Sequence, residues 1–244
     1  MKLGEFVEIS VAVTDLAKSL FFLERLGFEK VDQNWEPWPW AILVDGSVTL
    51  SVSQTTPGLP VLSYLAEDME DRIRQFESAG IDIRRIREAQ APEVLGALAT
   101  PCGIGVSLLE YSARHIPSAP VQGTCKCGRF GELALPVSDL GVAQEFWTKV
   151  GFRRSRGAEL PYAWAVMTDD LLTLGLYETA DFDRPALVYY STNAPERIEQ
   201  LGYDGFEFTR EIPSVGDGTG RTLLSPPDGQ LLFMLEYRED PVRI

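Results

Sequence analysis

The sequence predicts an α+β chain of four β-α-β-β-β units, produced by a tandem duplication. Three observations carry this. A shift of 124 lays residues 4–53 on 128–177 without a gap, with fifteen of the fifty positions identical. Each half alternates between a hydrophobic period of two and one of 3.6 in the same order. Each half also shows that order a second time, at lower fidelity. An internal register this long sets the domain plan before any other reading.

The identities include Gly4/Gly128, Phe6/Phe130, Glu8/Glu132, Asp15/Asp139, Gly27/Gly151, Pro37/Pro161 and Trp40/Trp164. The match continues with slips of one and two residues. Arg72-Ile73 falls on Arg197-Ile198, and Leu109-Glu110-Tyr111 on Leu235-Glu236-Tyr237. Ser112–Cys127 is rich in Pro, Ser and Gly and reads as a connection. The boundaries are 1–112 for the first domain, 113–127 for the linker and 128–244 for the second domain.

Within the first unit, Glu5–Val13 alternates. Val7, Ile9, Val11 and Val13 share one face, and Glu8, Ser10 and Ala12 the other, a half-buried strand. Thr14-Asp15 supplies the cap of a helix over Leu16–Leu26, whose leucines recur at helical spacing, and Gly27 ends it. Strands follow at Phe28–Val31, Trp40–Val44 and Val48–Ser53, the last two joined by the hairpin signal Asp45-Gly46. The second unit gives a strand at Val61–Ala66, a helix at Met69–Ser78 and strands at Ile81–Ile86, Leu95–Thr100 and Val106–Tyr111.

Composition excludes several functions. With 22 Lys+Arg against 36 Asp+Glu the net charge is −14, which disfavours nucleic acid and anionic membrane surfaces as partners. No apolar run reaches a membrane span, and no signal peptide is evident. The three cysteines, Cys102, Cys125 and Cys127, suit a reducing cytoplasm better than a disulfide framework. Cys125-Lys126-Cys127 reads as two thiols in a linker. The single histidine, His115, falls in that linker and excludes sites built from several imidazoles. Arg84-Arg85 and Arg153-Arg154 read as solvated strand faces, and Gly216–Gly220 as a hairpin loop, because no Lys-Ser/Thr follows it.

Two stretches carry a family resemblance. Phe6–Phe28 (FVEISVAVTDLAKSLFFLERLGF) and Phe130–Phe152, with the core GELALPVSDLGVAQEFWTKVGF, share a V-x-D-L … F … L-G-F pattern or its close variant. The pattern resembles the opening of the vicinal oxygen chelate superfamily, which includes glyoxalase I, the bleomycin- and fosfomycin-resistance proteins and the extradiol dioxygenases. The resemblance covers essentially the whole chain. It implies that two units make one eight-stranded cup with helices outside and a ligand in the concavity, hence two tandem glyoxalase-like cups of mixed sheet.

In that superfamily a divalent metal is held by the first strand of each unit and the last strand of the cup. The resemblance places Glu8 and Glu132 at the first-strand position. The second-unit position falls on Val61 and about Ala186, and the last-strand position on Ser107 and Phe233. Glu110 and Glu236 lie three residues later, on the opposite face of a regular strand unless a bulge rotates them. One carboxylate per cup falls short of the roughly three protein ligands of a catalytic metal site. No cofactor is therefore expected, and the family's metal chemistry does not carry over.

What remains is the lining of the cups. Glu8 and Glu132 should point inward, as general bases or as recognition groups for a ligand ammonium or hydroxyl; they are the candidate catalytic residues. Trp38/Trp40 and Tyr162/Trp164 share a strand parity opposite to Ala41/Leu43 and Ala165/Met167, and with Ser107 and Phe233 they are the candidate ligand-binding residues. Flat rings there would stack on a planar or cationic compound. The expected function is binding of a small aromatic or cationic molecule in one or both cups, without a metal. The alternative is a metal-dependent lyase, isomerase or dioxygenase using Glu8 or Glu132. The partner is a small molecule, and the chain a monomer or homodimer.

Overall fold

A computed structural model describes residues 1–87, 93–110, 125–160, 162–212, 221–224, 226–227 and 230–236. His115 and the Gly216–Gly220 loop lie outside these residues. The first unit comprises β1 (Phe6–Val13), α1 (Leu16–Leu26), β2 (Glu29–Asn34), β3 (Trp40–Val44) and β4 (Thr49–Gln54). The second comprises β5 (Val61–Ala66), α2 (Met69–Ser78), β6 (Arg84–Arg85), β7 (Val94–Ala99) and β8 (Gly105–Glu110). The second half repeats the order as β9 (Arg129–Pro136), α3 (Leu140–Lys149), β10 (Arg153–Ala158), β11 (Trp164–Thr168), β12 (Thr173–Tyr177), β13 (Ala186–Ser191), α4 (Ala194–Tyr203), β14 (Phe208–Ile212), β15 (Arg221–Leu224) and β16 (Leu231–Glu236).

Each half closes one mixed eight-stranded sheet. The orders are β2-β3-β4-β1-β5-β8-β7-β6 and β10-β11-β12-β9-β13-β16-β15-β14. The first strands of the two units, β1 and β5, meet antiparallel at the centre, as do β9 and β13. The chain thus forms two tandem α+β cups, as the repeat implied. The strand expected over Ile81–Ile86 shrinks to Arg84–Arg85, because only those two residues pair with β7.

Local chemistry sets the helices. The Asp15 carboxylate accepts from the Lys18 amide at 3.0 Å and opens α1; its repeat, Asp139, accepts from Val142 at 2.9 Å and opens α3. Leu16, Leu20, Leu23 and Leu26 are buried against Ile9, Val11, Ala41, Leu43, Leu50 and Val52. Trp147 of α3 is wholly buried, with edge contacts to Phe146 and Phe152.

The helix-bearing faces of the two sheets share one hydrophobic core, leaving the concave faces turned away from it. Phe22 of α1 meets Phe206 edge-on at 5.4 Å, and Trp147 Nε1 donates to Cys102 Sγ at 3.4 Å. Two reciprocal latches cross this junction. Tyr189 donates its hydroxyl to Asp45 Oδ2 at 2.7 Å, and Tyr64 donates to Asp169 Oδ2 at 2.7 Å. Each aspartate uses its other oxygen to accept amides of its own hairpin turn: Ser47 and Val48 at 2.8 Å, or Leu171 at 3.0 and Leu172 at 2.8 Å. All four residues are buried. Burial, reinforced by the facing carboxylate, pushes the Tyr64 phenol well above its usual range; burial and then Cys125 and Asp45 do the same for Tyr189.

The end of the expected linker belongs to this core. Cys125 and Cys127 are buried as free thiols, and the Lys126 amide donates to Leu26 O at 2.7 Å. The arginine pairs lie on exposed strand faces, as expected, and one member of each is ion-paired. Arg85 bridges Glu70 and Glu77, and Arg153 pairs with Asp170.

The halves differ in one strand. The β1–β5 register runs unbroken, but β9 carries an extra residue opposite β13. Glu132 pairs with Val188, whereas Tyr189 pairs with Phe130, so Gly131 is looped out. A Cβ at Gly131 would overlap the Tyr190 ring, which is why the repeat of Val7 is glycine. The bulge reverses the facing of Phe130 and Arg129. Phe130 joins the shared core beside Tyr189 at 5.8 Å, and Arg129 pairs with Tyr190 on the concave side.

Candidate functional site: two unequal cups

Strand pairing fixes which side chains share each concavity. In the first cup Glu8 pairs with Ser63, and Ser63 with Ser107, one row across β1, β5 and β8. In the second the same row reads Glu132, Val188 and Phe233. Both glutamates lie on the concave face at the base of their cups, 2% and 1% exposed. Val61 and Ala186, the second-unit positions expected from spacing, pair with Ser10 and Ala134, two residues along the strands from these rows.

Trp40 pairs with Ser53 on the first concave face and is half-buried. Trp38 stands in the connection before β3 and is 69% exposed, so it projects from the rim rather than lining the floor. In the second half Trp164, Tyr162 and Phe233 come together in a single apolar cluster inside the cup. Among the described residues Trp40 and Ser107 of the first cup belong to no such cluster.

Tyr177 is the hub of the second cup, and the sequence reading passed over it. Its ring stacks on Trp164 (6.4 Å, 20°), meets Tyr162 edge-on at 6.3 Å and meets Phe182 at 5.9 Å, and Phe182 continues to Phe233 at 5.4 Å. Its hydroxyl donates a short hydrogen bond to Glu132 Oε1. The ring lies across Gly175, where a Cβ would come within 2.5 Å of Tyr177 and closer still to Glu132. The Arg156 guanidinium stands 4.0 Å from the other Glu132 oxygen.

The repeat register turns these contacts into a contrast. The first-cup counterparts of Gly175, Tyr177, Val188, Phe233 and Ala134 are Ser51, Ser53, Ser63, Ser107 and Ser10. Pro57 and Gly58 stand in the stretch that corresponds to Phe182. The second cup is therefore filled by its own aromatic side chains. Among the described residues the first presents the carboxylates of Glu8 and of Asp32, which pairs with Ile42 on the same face, five serine hydroxyls and the Trp40 ring; Ser10 and Ser63 bond to each other at 2.8 Å. The signal was present in the sequence, as serines at alternate positions of β4 and glycine and tyrosine at the same places in β12.

Each row offers one carboxylate, accompanied by serines in one cup and by Val188 and Phe233 in the other. Among the described residues no three His, Cys, Asp or Glu side chains converge. Glu110 pairs with Ala66 and Glu236 with Ser191 in unbroken ladders, one position past the concave-facing Leu109 and Leu235. Both face the helix side, because no bulge rotates them inward.

Comparison with solved structures agrees with this architecture. A catechol 2,3-dioxygenase superimposes with a TM-score of 0.64 at 15% identity, over 100% of this chain and 91% of its own. The fold is the tandem, extradiol-dioxygenase-like vicinal oxygen chelate fold. Homoprotocatechuate 2,3-dioxygenase from Arthrobacter globiformis gives 0.66 at 14% identity, over 100% and 83%. An extradiol ring-cleaving dioxygenase from B. fuscum gives 0.63 at 14%, over 97% and 73%. No family model and no curated protein sequence matches the chain. At these identities the likeness is one of fold. Among the described residues no helix is long and apolar enough to cross a membrane.

Proposed function

We propose that the chain is a binding protein for a small organic molecule, held in the first cup without a metal. The observation that supports this reading is the inequality of the cups: aromatic rings fill the second, and serines replace them in the first. A ligand there meets an aromatic face at Trp40, hydroxyls at Ser10, Ser53 and Ser107, and a carboxylate at Glu8. That lining suits an aromatic compound carrying an ammonium or other hydrogen-bond donor. Desolvation at the base of the cup strengthens any charge-assisted bond made to Glu8.

The test is a panel of aromatic cations, neutral aromatics and aliphatic amines, read by melting temperature and tryptophan fluorescence. An aromatic cation at a hundred times its Kd is expected to stabilise the folded chain by about 2.7 kcal/mol. Glu8→Gln should weaken that compound on the order of tenfold or more, and Ser53→Tyr, which copies the second cup's plug, should abolish binding. A panel without a response, or equal binding by both variants, would refute the proposal.

A second reading, a lyase, isomerase or dioxygenase that uses Glu8 or Glu132, draws on the fold shared with the dioxygenases. Metal analysis of the purified protein separates the two readings. A stoichiometric first-row ion lost on Glu8→Gln or Glu132→Gln would favour the enzyme.

A further inference from the structure

Away from the first cup, an open groove of about 1860 Å³ runs along the junction of the halves to the mouth of the second cup. In a chain of net charge −14 this groove is basic. Arg25, Lys126, Arg129, Arg156 and Arg197 line it, against Glu24 and Asp45. Asp45 is committed to Tyr189 and to its own turn. Asp204 takes Lys126 at 2.7 Å, and its carbonyl takes Arg25, whose guanidinium also lies 4.6 Å over Phe206. Arg156 has Glu132 at 4.0 Å. Among the described residues no carboxylate pairs with Arg129 or Arg197.

The internal repeat shows that this is a reversal. The counterpart of Arg197 is Arg72, held by Glu5 at 3.1 Å, by Asp68 and by the Lys2 carbonyl at 3.2 Å. Arg197 keeps the equivalent carbonyl, Lys126 O at 3.0 Å, but meets Asn193 at 2.9 Å where Arg72 meets Asp68. Arg129 stands at the repeat position of Glu5, and the Gly131 bulge turns it to the concave side beside Tyr190. Arg156 and Thr192 stand where the first half has Asp32 and Glu67. At four aligned positions acids have become two arginines and two neutral residues. Like charges gathered in one groove repel unless a counter-anion sits among them.

We infer that this groove is a binding site for a small molecule carrying more than one phosphoryl group, contacted by Arg129, Arg156 and Arg197. Guanidinium forks match phosphoryl oxygens in pairs, and the groove has room for several such groups. The site is separate from the first cup and does not depend on what that cup holds.

Inorganic tripolyphosphate is the probe, titrated calorimetrically into the full chain at constant ionic strength, with citrate as the carboxylate control. Saturable binding tighter than that of citrate is expected. Arg129→Glu combined with Asn193→Asp restores first-half charges and should weaken tripolyphosphate by on the order of a hundredfold; the milder Arg129→Gln, at an exposed side chain, should weaken it about tenfold. Heat no different from a sodium chloride control, citrate binding equally well, or both variants binding like the parent would each overturn the assignment.

Discussion

Asp45→Ala is expected to destabilise the protein by about 3 to 5 kcal/mol, because one buried carboxylate serves both a turn and the junction between the halves. The substitution frees the amides of Ser47 and Val48 and leaves the Tyr189 hydroxyl buried without its acceptor. A melting temperature lower by roughly 6 to 20 °C follows for a chain of this size. Tyr189→Phe keeps the turn and removes only the latch, so about 2 to 3 kcal/mol is expected. Tyr64→Phe should match it, since Asp169 repeats the geometry. Chemical denaturation of the three variants checks this, and near-parental stability of Asp45→Ala would remove the latches from the account.

The same latches set an alkaline limit. Both phenols have folded-state pKa values raised above the ordinary value near 10. Their contribution is complete below about pH 10, where folded and unfolded tyrosines are both protonated. Above it the unfolded chain releases protons that the folded chain retains, and stability falls as pH rises. The parent should lose more stability than the Tyr64→Phe/Tyr189→Phe variant between pH 9 and about 11.

Tyr177→Ala is expected to destabilise the second half by about 3 to 5 kcal/mol. The ring is the hub joining Trp164, Tyr162 and Phe182, and its hydroxyl is one of the partners of buried Glu132. Removing it opens a cavity that its neighbours fill only in part. Ser53→Ala, at the repeat position in the first cup, should change stability by no more than about 0.5 kcal/mol. Equilibrium denaturation of the two variants side by side measures the inequality of the cups directly. Equal effects would mean that the second cup is not closed from within.

Much of the fold was legible in the sequence because duplication prints each constraint twice. The Asp15 and Asp139 caps, the leucine stripe of α1 and the alternation of β1 are local, and local patterns survive in a linear text. Strand parity placed Glu8, Glu132, Trp40 and Trp164 on the concave faces, and put Glu110 and Glu236 on the other side. At Gly131 a single looped-out residue inverts the facing of Arg129 and Phe130 without changing the hydrophobic pattern.

The sequence by itself determined that two copies of one half exist, where their elements lie, and that a lone glutamate enters each first strand. Only the tertiary structure decided that Tyr177 reaches over Gly175 to close the second cup, that Asp45 and Asp169 each hold the other half's tyrosine, and that cations from distant segments meet in one groove. Periodicity reports which side of its own strand a residue faces. It carries no record of what that side chain then meets, whether within its own half, as at Tyr177, or across the junction, as at Asp45 and Asp169.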